Sequence, residues 1–291
     1  MENNFNVGIY LFEQFHGKKD IGSSRIRGRW LEKYWDKAEV YKIGRKYDRA
    51  MIYQKVYHIE HAKAYKGTKI LDLCDPDWLD WGARVVEMIG HCDGITTSTE
   101  ALAEEVRNFT SKPVRFIEDR MDLEIHKPRK VHIGKGKTVV WFGYSTNFPM
   151  LQSVLMFLDK FDLDLIVISD SPFMIPSQYV DKIKLTNYKW SMETVNADII
   201  KGDIVVNPQS EKGRWKYKSN NKTITSYLLN MPVADNIAEL QKLIEPDYRT
   251  NKAKECREWA EKNYDVNLSI QEYEEFIKEL EEGKTTPQVE N

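Results

Sequence analysis

The stretch KSNNKTITSYLLNMPV, Lys218 to Val233, sets two lysines and two asparagines at the mouth of a segment that turns apolar and stops at Asn230, before Pro232. A helix start of this kind exposes N–H groups without intrahelical partners, and cations beside it complete an anion-binding site. Two further loops carry related chemistry. HGKKDIGSSRIRG, His16 to Gly28, offers glycines for a tight approach, Gly22 among them, with Arg25 and Arg27 as anion donors. Gly143-Tyr144-Ser145-Thr146-Asn147 follows a second strand-like run. Neither loop fits GxGxxG or GxxxxGK[ST], which disfavours a standard dinucleotide site or an ATP hydrolase.

The elements that must position these loops are strands and helices in alternation, the pattern of an α/β protein with parallel sheets. Strands are expected at Asn6–Phe12, Ala38–Ile43, Ala50–Gln54, Lys69–Cys74, Gly94–Thr97 and Val114–Ile117. Ser98 and Thr99 read as the capped start of a helix through Phe109. After a polar, Gly/Pro-punctuated boundary between Asp122 and Lys137 the pattern resumes: strand Thr138–Phe142, helix Phe148–Phe161, strand Leu163–Ser169, a short strand near Lys182–Leu185, helix Met192–Ile200, strand Asp203–Val206 and a strand near Val233. Ala238 to Leu280 reads as almost wholly helical. Open parallel sheets bind ligands beyond the carboxyl ends of their strands, where the three loops fall.

At 291 residues, 41% of them hydrophobic, the chain is long enough for two domains with a core each. No apolar run reaches the roughly 18 residues a membrane span needs, and MENNFNVGIYLF enters a strand without a basic leader, so the expected location is the cytoplasm. Cys74, Cys92 and Cys256 are widely spaced and form no CxxC pair; buried reduced thiols are expected, and no metal. Charge is uneven: residues 17–69 hold fifteen Lys/Arg against six Asp/Glu, interleaved with Trp30, Tyr34, Trp35, Tyr41, Tyr47, Tyr53 and Tyr57. Such a segment either receives a polyanion, neutralising phosphates and stacking bases, or is a solvated basic face over core aromatics.

Four segments taken in order carry a resemblance: CDGITTSTEALAEEV…KPVRFIEDRMD (Cys92 to Asp122), VVWFGYSTNFPML (Val139 to Leu151), GDIVVNP (Gly202 to Pro208) and KSNNK…MPV. Together they resemble nucleotide-sugar glycosyltransferases of the GT-B type, in particular family-4-like and family-1-like bacterial and phage members. The likeness is good from about residue 92 to 235 and faint before Lys69. It implies a GT-B fold, two Rossmann-like domains facing each other across a cleft: an acceptor-side domain over 1–130, a donor-binding domain over 137–262, a helix over 263–282 crossing back to the first domain, and a flexible tail over 283–291. It further implies that the anion is the diphosphate of a UDP- or GDP-sugar serving as co-substrate. Gly22, Arg25, Arg27, Gly143, Ser145, Asn147, Lys218, Asn220, Asn221, Lys222 and Thr225 are then the donor-binding candidates. Fixed cations and a helix N-terminus suit a leaving diphosphate that gains charge as the glycosidic bond breaks. Two departures stand out. Thr225 occupies the place of the family's ribose-binding Glu, for which Glu211 is a substitute candidate, and Asn230 replaces a Gly, as an αL-tolerant residue can.

In KILDLCDPDW, Pro76 makes Asp75 extended, so Asp75 and Asp77 project near a strand's carboxyl end, where either can orient or deprotonate an acceptor hydroxyl. His16 is the third catalytic candidate; His91 reads as structural. Arg25, Arg27, Arg29 and Trp78 are the acceptor-side candidates. The resemblance implies retention, which needs no strong base. The expected acceptor is DNA carrying a hydroxymethylated base, modified in the host cytoplasm by a phage-encoded enzyme. An envelope polysaccharide or lipid-linked glycan made at a membrane surface competes with it. So does a GT-B-like binding protein without turnover; an epimerase of related fold is disfavoured.

Overall fold

The computed structural model describes residues 6–17, 20–208, 210 and 212–285. The chain divides into two compact units. One holds the residues up to Met121, Lys212–Ser219 and the chain from Asp265; the other holds Asp122–Glu211 and Asn220–Tyr264.

The first unit is built on six parallel strands: β1 (Val7–Tyr10), β2 (Ala38–Val40), β3 (Ala50–Gln54), β4 (Thr68–Leu73), β5 (Gly94–Thr97) and β6 (Val114–Phe116), in the order β2-β1-β3-β4-β5-β6. The second carries β7 (Thr138–Phe142), β8 (Asp164–Ser169), β9 (Leu185–Lys189), β10 (Ile204–Val206) and β11 (Val233–Ala234), also parallel, in the order β11-β10-β7-β8-β9. Central strands are apolar on both sides because helices cover both faces. In the second sheet Val139, Trp141, Leu165, Val167, Ile204 and Val206 enter one core, and their neighbours Val140, Phe142, Ile166, Ile168 and Val205 the other. That is the two-residue period of a strand. Strand order reverses between β1 and β3 in the first sheet and between β7 and β10 in the second, which puts the crevices for ligands at the carboxyl ends of those pairs.

Three expected elements are redrawn. The short strand near Lys182–Leu185 lies instead at Leu185–Lys189, because Lys182 and Ile183 donate their N–H groups to Tyr179 in a turn. The helix expected over Phe148–Phe161 is two, Phe148–Gln152 and Leu155–Lys160; between them Ser153 bonds the Met150 carbonyl through its hydroxyl, a side chain competing with the helical ladder. The long C-terminal helix is three, Ile237–Leu243, Pro246–Asn263 and Val266–Thr285. Pro246, lacking an N–H, opens the second, and the Asp265 carboxylate accepts the Asn267 N–H as the third begins. Cys74, Cys92 and Cys256 are buried, unbridged thiols.

Helix Val266–Thr285 is tied to the first sheet by charge. Arg49 pairs with Glu274 and Glu281, Arg115 with Glu279, and Arg120 with Glu272 at 2.7 Å.

Candidate functional site

Each sheet carries one group of residues at its reversal point. In the second unit Gly143 ends β7 with φ +151, and a Cβ there would meet Lys222 Nζ at 2.7 Å and Cε at 3.0 Å. The lysine lies across the glycine and over the Trp141 ring, 4.9 Å from its centroid. Lys222 belongs to the first turn of helix Asn221–Leu228, which has no acidic residue there and no side-chain cap, since the Asn220 amide donates to the Tyr264 hydroxyl at 2.9 Å instead. Asn207, at the end of β10, donates to Thr223 Oγ1 at 3.1 Å and fixes the helix start from the other side. The helix ends as a Schellman motif: Met231 N–H donates to the Ser226 carbonyl, Asn230 N–H to Tyr227, and Asn230 stands at φ +59. An uncapped helix N-terminus beside a half-buried ammonium is a site for a compact anion.

The sequence brings Gly143, Asn220, Asn221 and Lys222 to this place. Ser145 is held by Asp170, its N–H at 2.7 Å and its hydroxyl at 3.0 Å, so it shapes the loop and its donors are engaged. Asn147, half-buried, leads into helix Phe148–Gln152, and Thr225 lies one turn along its own helix. Glu211 is outside the described residues. Gly143→Ala would displace Lys222 and strain the backbone; nucleotide affinity, read by titration calorimetry, is expected to fall about tenfold (about 1.4 kcal/mol) with the fold retained.

In the first unit the cluster is ionic. Lys55 ends β3 at φ +61, a strained conformation for a lysine, and its N–H donates to the Asp72 carbonyl at 2.9 Å. Its ammonium bonds Asp75 at 2.7 Å and reaches Asp77 at 3.4 Å, while Lys218 bonds the other Asp75 oxygen at 2.8 Å. Burial opposes the charge of Lys55, but Cys74, Asp75 and Asp77 together overcome it and hold the ammonium well above its ordinary range. Burial likewise opposes ionisation of Asp75, which Lys55 and Lys218 keep below the usual carboxylate range. Asp77 differs. It is 5% exposed, its Oδ2 has no hydrogen-bond partner, and burial, reinforced by Asp75 against Lys55, pushes its carboxyl up to about 6. A buried carboxylate oxygen without a hydrogen-bond partner can accept a proton.

Other expectations for this unit are corrected. Arg27 is 3% exposed and turned inward by a π-helical stretch, Arg25–Arg29; it holds Asp72 at 2.6 Å, Asp119 at 3.0 Å, the Ile117 carbonyl and the Tyr273 hydroxyl. It is a structural cation, out of reach of a ligand. Arg29 pairs with buried Glu13. Arg25 bonds the Asp20 carbonyl at 3.4 Å and lies over Trp30. Close packing falls at Gly28, where a Cβ would strike Leu11 at 2.1 Å, and not at Gly22, where nothing lies nearer than 3.9 Å. Lys18 and Lys19 of this loop are outside the described residues. Trp78 packs edge-on against Tyr217 at 5.2 Å and Phe109 at 5.5 Å, a packing role in place of acceptor stacking. His16 is exposed and packs edge-on against Phe12. In the basic segment Trp30, Trp35, Tyr47 and Tyr53 are core, and Arg27, Arg29, Lys42, Arg45, Arg49, Lys55 and Lys63 meet carboxylates.

Sequence reasoning missed Lys55, Asp170 and Asn207. The available signal was positional, a polar residue at or just beyond the end of an apolar strand on the carboxyl side.

His58, stacked on Tyr10 at 3.5 Å, donates from Nε2 to the Leu11 carbonyl at 3.2 Å, and burial pulls its imidazole down to about 4. A depressed histidine binds fewer protons folded than unfolded, so its contribution is present above the ordinary value of 6.5 and is lost as pH falls toward 4. Denaturation at pH 7 and pH 4 is expected to show a loss on the order of 3 kcal/mol from this group, absent in His58→Phe.

No protein-family model matches the sequence, and no curated protein matches it. Solved structures do match in fold. The Anabaena protein HepE, in complex with UDP and glucose, superposes with a TM-score of 0.66 at 12% identity, covering 94% of this chain and 99% of that one. The DNA-modifying enzyme β-glucosyltransferase, whose substrate is uridine diphosphoglucose, gives 0.56 at 11% identity with the same coverage. A UDP-forming α,α-trehalose-phosphate synthase from Burkholderia vietnamiensis gives 0.51 at 10% identity over 82% of this chain and 74% of that one. With its two parallel sheets, the chain has the GT-B fold of these glycosyltransferases.

Among the described residues no helix is long and apolar enough to cross a membrane, and no group of three or more His, Cys, Asp or Glu could hold a metal ion.

Proposed function

We propose that the protein is a glycosyltransferase that moves a sugar from a nucleoside-diphosphate sugar to an acceptor hydroxyl. The observation that carries this reading is Lys222 laid across Gly143 at the uncapped start of helix Asn221–Leu228, an anion site at the reversal point of a parallel sheet. Uridine diphosphate is the first nucleotide to test, because the similar structures are described with UDP or UDP-glucose.

The ionic cluster of the first unit favours a single displacement with inversion over the retention that the resemblance implies. A front-face retaining step needs no strong base, whereas an inverting step does, and Asp77, bonded to Lys55 through Oδ1, offers an Oδ2 without a hydrogen-bond partner. In that step the acceptor oxygen bonds the anomeric carbon as the bond to the diphosphate breaks; the hydroxyl proton goes to a base, for which Asp77 is the first unit's candidate, and the electron pair leaves on the diphosphate, for which Lys222 is the second unit's candidate cation. Lys55 and Lys218, through Asp75, hold the loop that carries Asp77.

Incubation with UDP-glucose, UDP-galactose and GDP-mannose tests both parts. Release of nucleoside diphosphate from one donor is expected, and proton NMR of the transferred sugar should show the opposite anomer. The same anomer would restore retention. Nucleotide binding without release from any donor would mark a binding protein of this fold.

A further inference from the structure

Within the first unit an open pocket of about 390 Å³ is lined by Tyr10, Tyr57, His58, His61, Arg84 and Glu87, among others. It lies within the size range of small-molecule sites, roughly 300–1,000 Å³. Two exposed aromatic side chains pack on Tyr57 of its lining: Phe15, 53% exposed, stacks on that ring at 4.4 Å, and Trp81, 45% exposed, meets it edge-on at 6.3 Å. Arg84 lies over the Tyr57 face at 5.8 Å. The pocket connects to the ionic cluster through packed rings. Tyr57 touches Phe12 at 5.0 Å, and the Lys55 ammonium lies over Phe12 at 5.1 Å while bonding Asp77.

Charge selects the class of occupant. Glu60 and Glu87 share Lys63 at 2.8 and 3.0 Å, and burial keeps both imidazoles below their ordinary range, so Arg84 is the cation left over. A nucleic acid needs several cations per binding face; one arginine among carboxylates does not supply them. Exposed aromatic rings beside phenol, imidazole and guanidinium groups suit instead an uncharged, puckered ring with an apolar C–H face and hydroxyls on its edge.

We propose that this pocket is the acceptor subsite and that it takes a neutral carbohydrate, laid against the exposed Phe15 and Trp81 rings that Tyr57 supports, with its hydroxyls on Arg84 and Glu87. The assignment rests on the glycosyl-transfer reading and deepens it by naming the acceptor class.

The test is ligand-observed NMR on the full-length protein with methyl α-glucoside, methyl β-galactoside and N-acetylglucosamine, and with a DNA duplex in parallel. One or more of the saccharides is expected to bind, with at least a fivefold loss in Tyr57→Ala and in the more conservative Arg84→Gln, while UDP affinity stays within twofold in both. UDP binding serves as the control for folding. If UDP binds and no saccharide does, the pocket assignment falls and glycosyl transfer stands. If saccharides bind and neither UDP nor GDP does, the transfer reading falls and a carbohydrate site remains. Duplex binding that is lost in Arg84→Gln would overturn the neutral-sugar assignment in favour of nucleic acid.

Discussion

Asp77→Asn is expected to lower turnover by about 10²–10⁴-fold while leaving the melting temperature at pH 8 equal or higher. The two effects have one cause. The Asp77 carboxyl is raised to about 6 by burial, so its contribution to stability is present below the ordinary carboxylate value and is lost as pH rises through 6. Ionised Asp77 is therefore a cost to the fold at neutral pH. Asparagine removes the charge and keeps the shape, and Lys55 retains Asp75 at 2.7 Å. In the wild-type protein the transfer rate should fall below about pH 6 as Asp77 is protonated, and that limb should vanish from the residual activity of the variant. A variant with full activity, or one that loses activity only because it unfolds, would remove Asp77 from the chemistry.

Arg27→Met should produce the largest loss of stability, about 3–5 kcal/mol. The guanidinium satisfies Asp72 and Asp119, both nearly fully buried, and joins the Ile117 carbonyl to the Tyr273 hydroxyl on the C-terminal helix. Truncation strands two carboxylates in a low-dielectric interior, where the remaining donors are Thr96 and Tyr273 on Asp72 and Ser219 on Asp119. At about 2–4 °C per kcal/mol for a unit of this size, the melting transition should drop by roughly 10 °C. The deficit should shrink at acid pH as Asp119, whose carboxyl burial already raises, takes up a proton. A melting temperature within 1–2 °C of wild type, about the shift of a neutral surface change, would mean that the pair is not buried in solution.

These two residues mark where the sequence was informative and where it was not. Strands such as Ala50–Gln54, Gly94–Thr97 and Thr138–Phe142 were legible to the residue, because a strand covered on both faces reads as an unbroken apolar run. The helix proposed to hold the anion was legible as a motif: lysine and asparagine before an apolar helical period, closed by Asn230 in the left-handed region. Arg27 was misread because its partner Asp72 lies forty-five positions away, and nothing local separates a cation facing solvent from one turned inward. The aromatics of segment 17–69 were ambiguous for the same reason, since Tyr53 and Trp35 are equally suited to a core or to stacking on bases. Lys55 gave no warning, because a lysine held at positive φ has no composition cue; only the packing around it imposes that conformation. Edge strand β9 was displaced because it is no apolar run: its central Asn187 bonds the Phe173 backbone through both its amide oxygen and its amide nitrogen.

Titration calorimetry of UDP, with GDP in parallel, into the full-length protein and into Lys222→Met addresses the diphosphate site most directly. Saturable binding of one nucleotide is expected, weakened about tenfold or more in the variant (about 1.4 kcal/mol for each factor of ten) with its melting temperature preserved. Failure of either nucleotide to bind the wild-type protein, or equal affinity in Lys222→Met, would contradict a diphosphate held at the start of helix Asn221–Leu228.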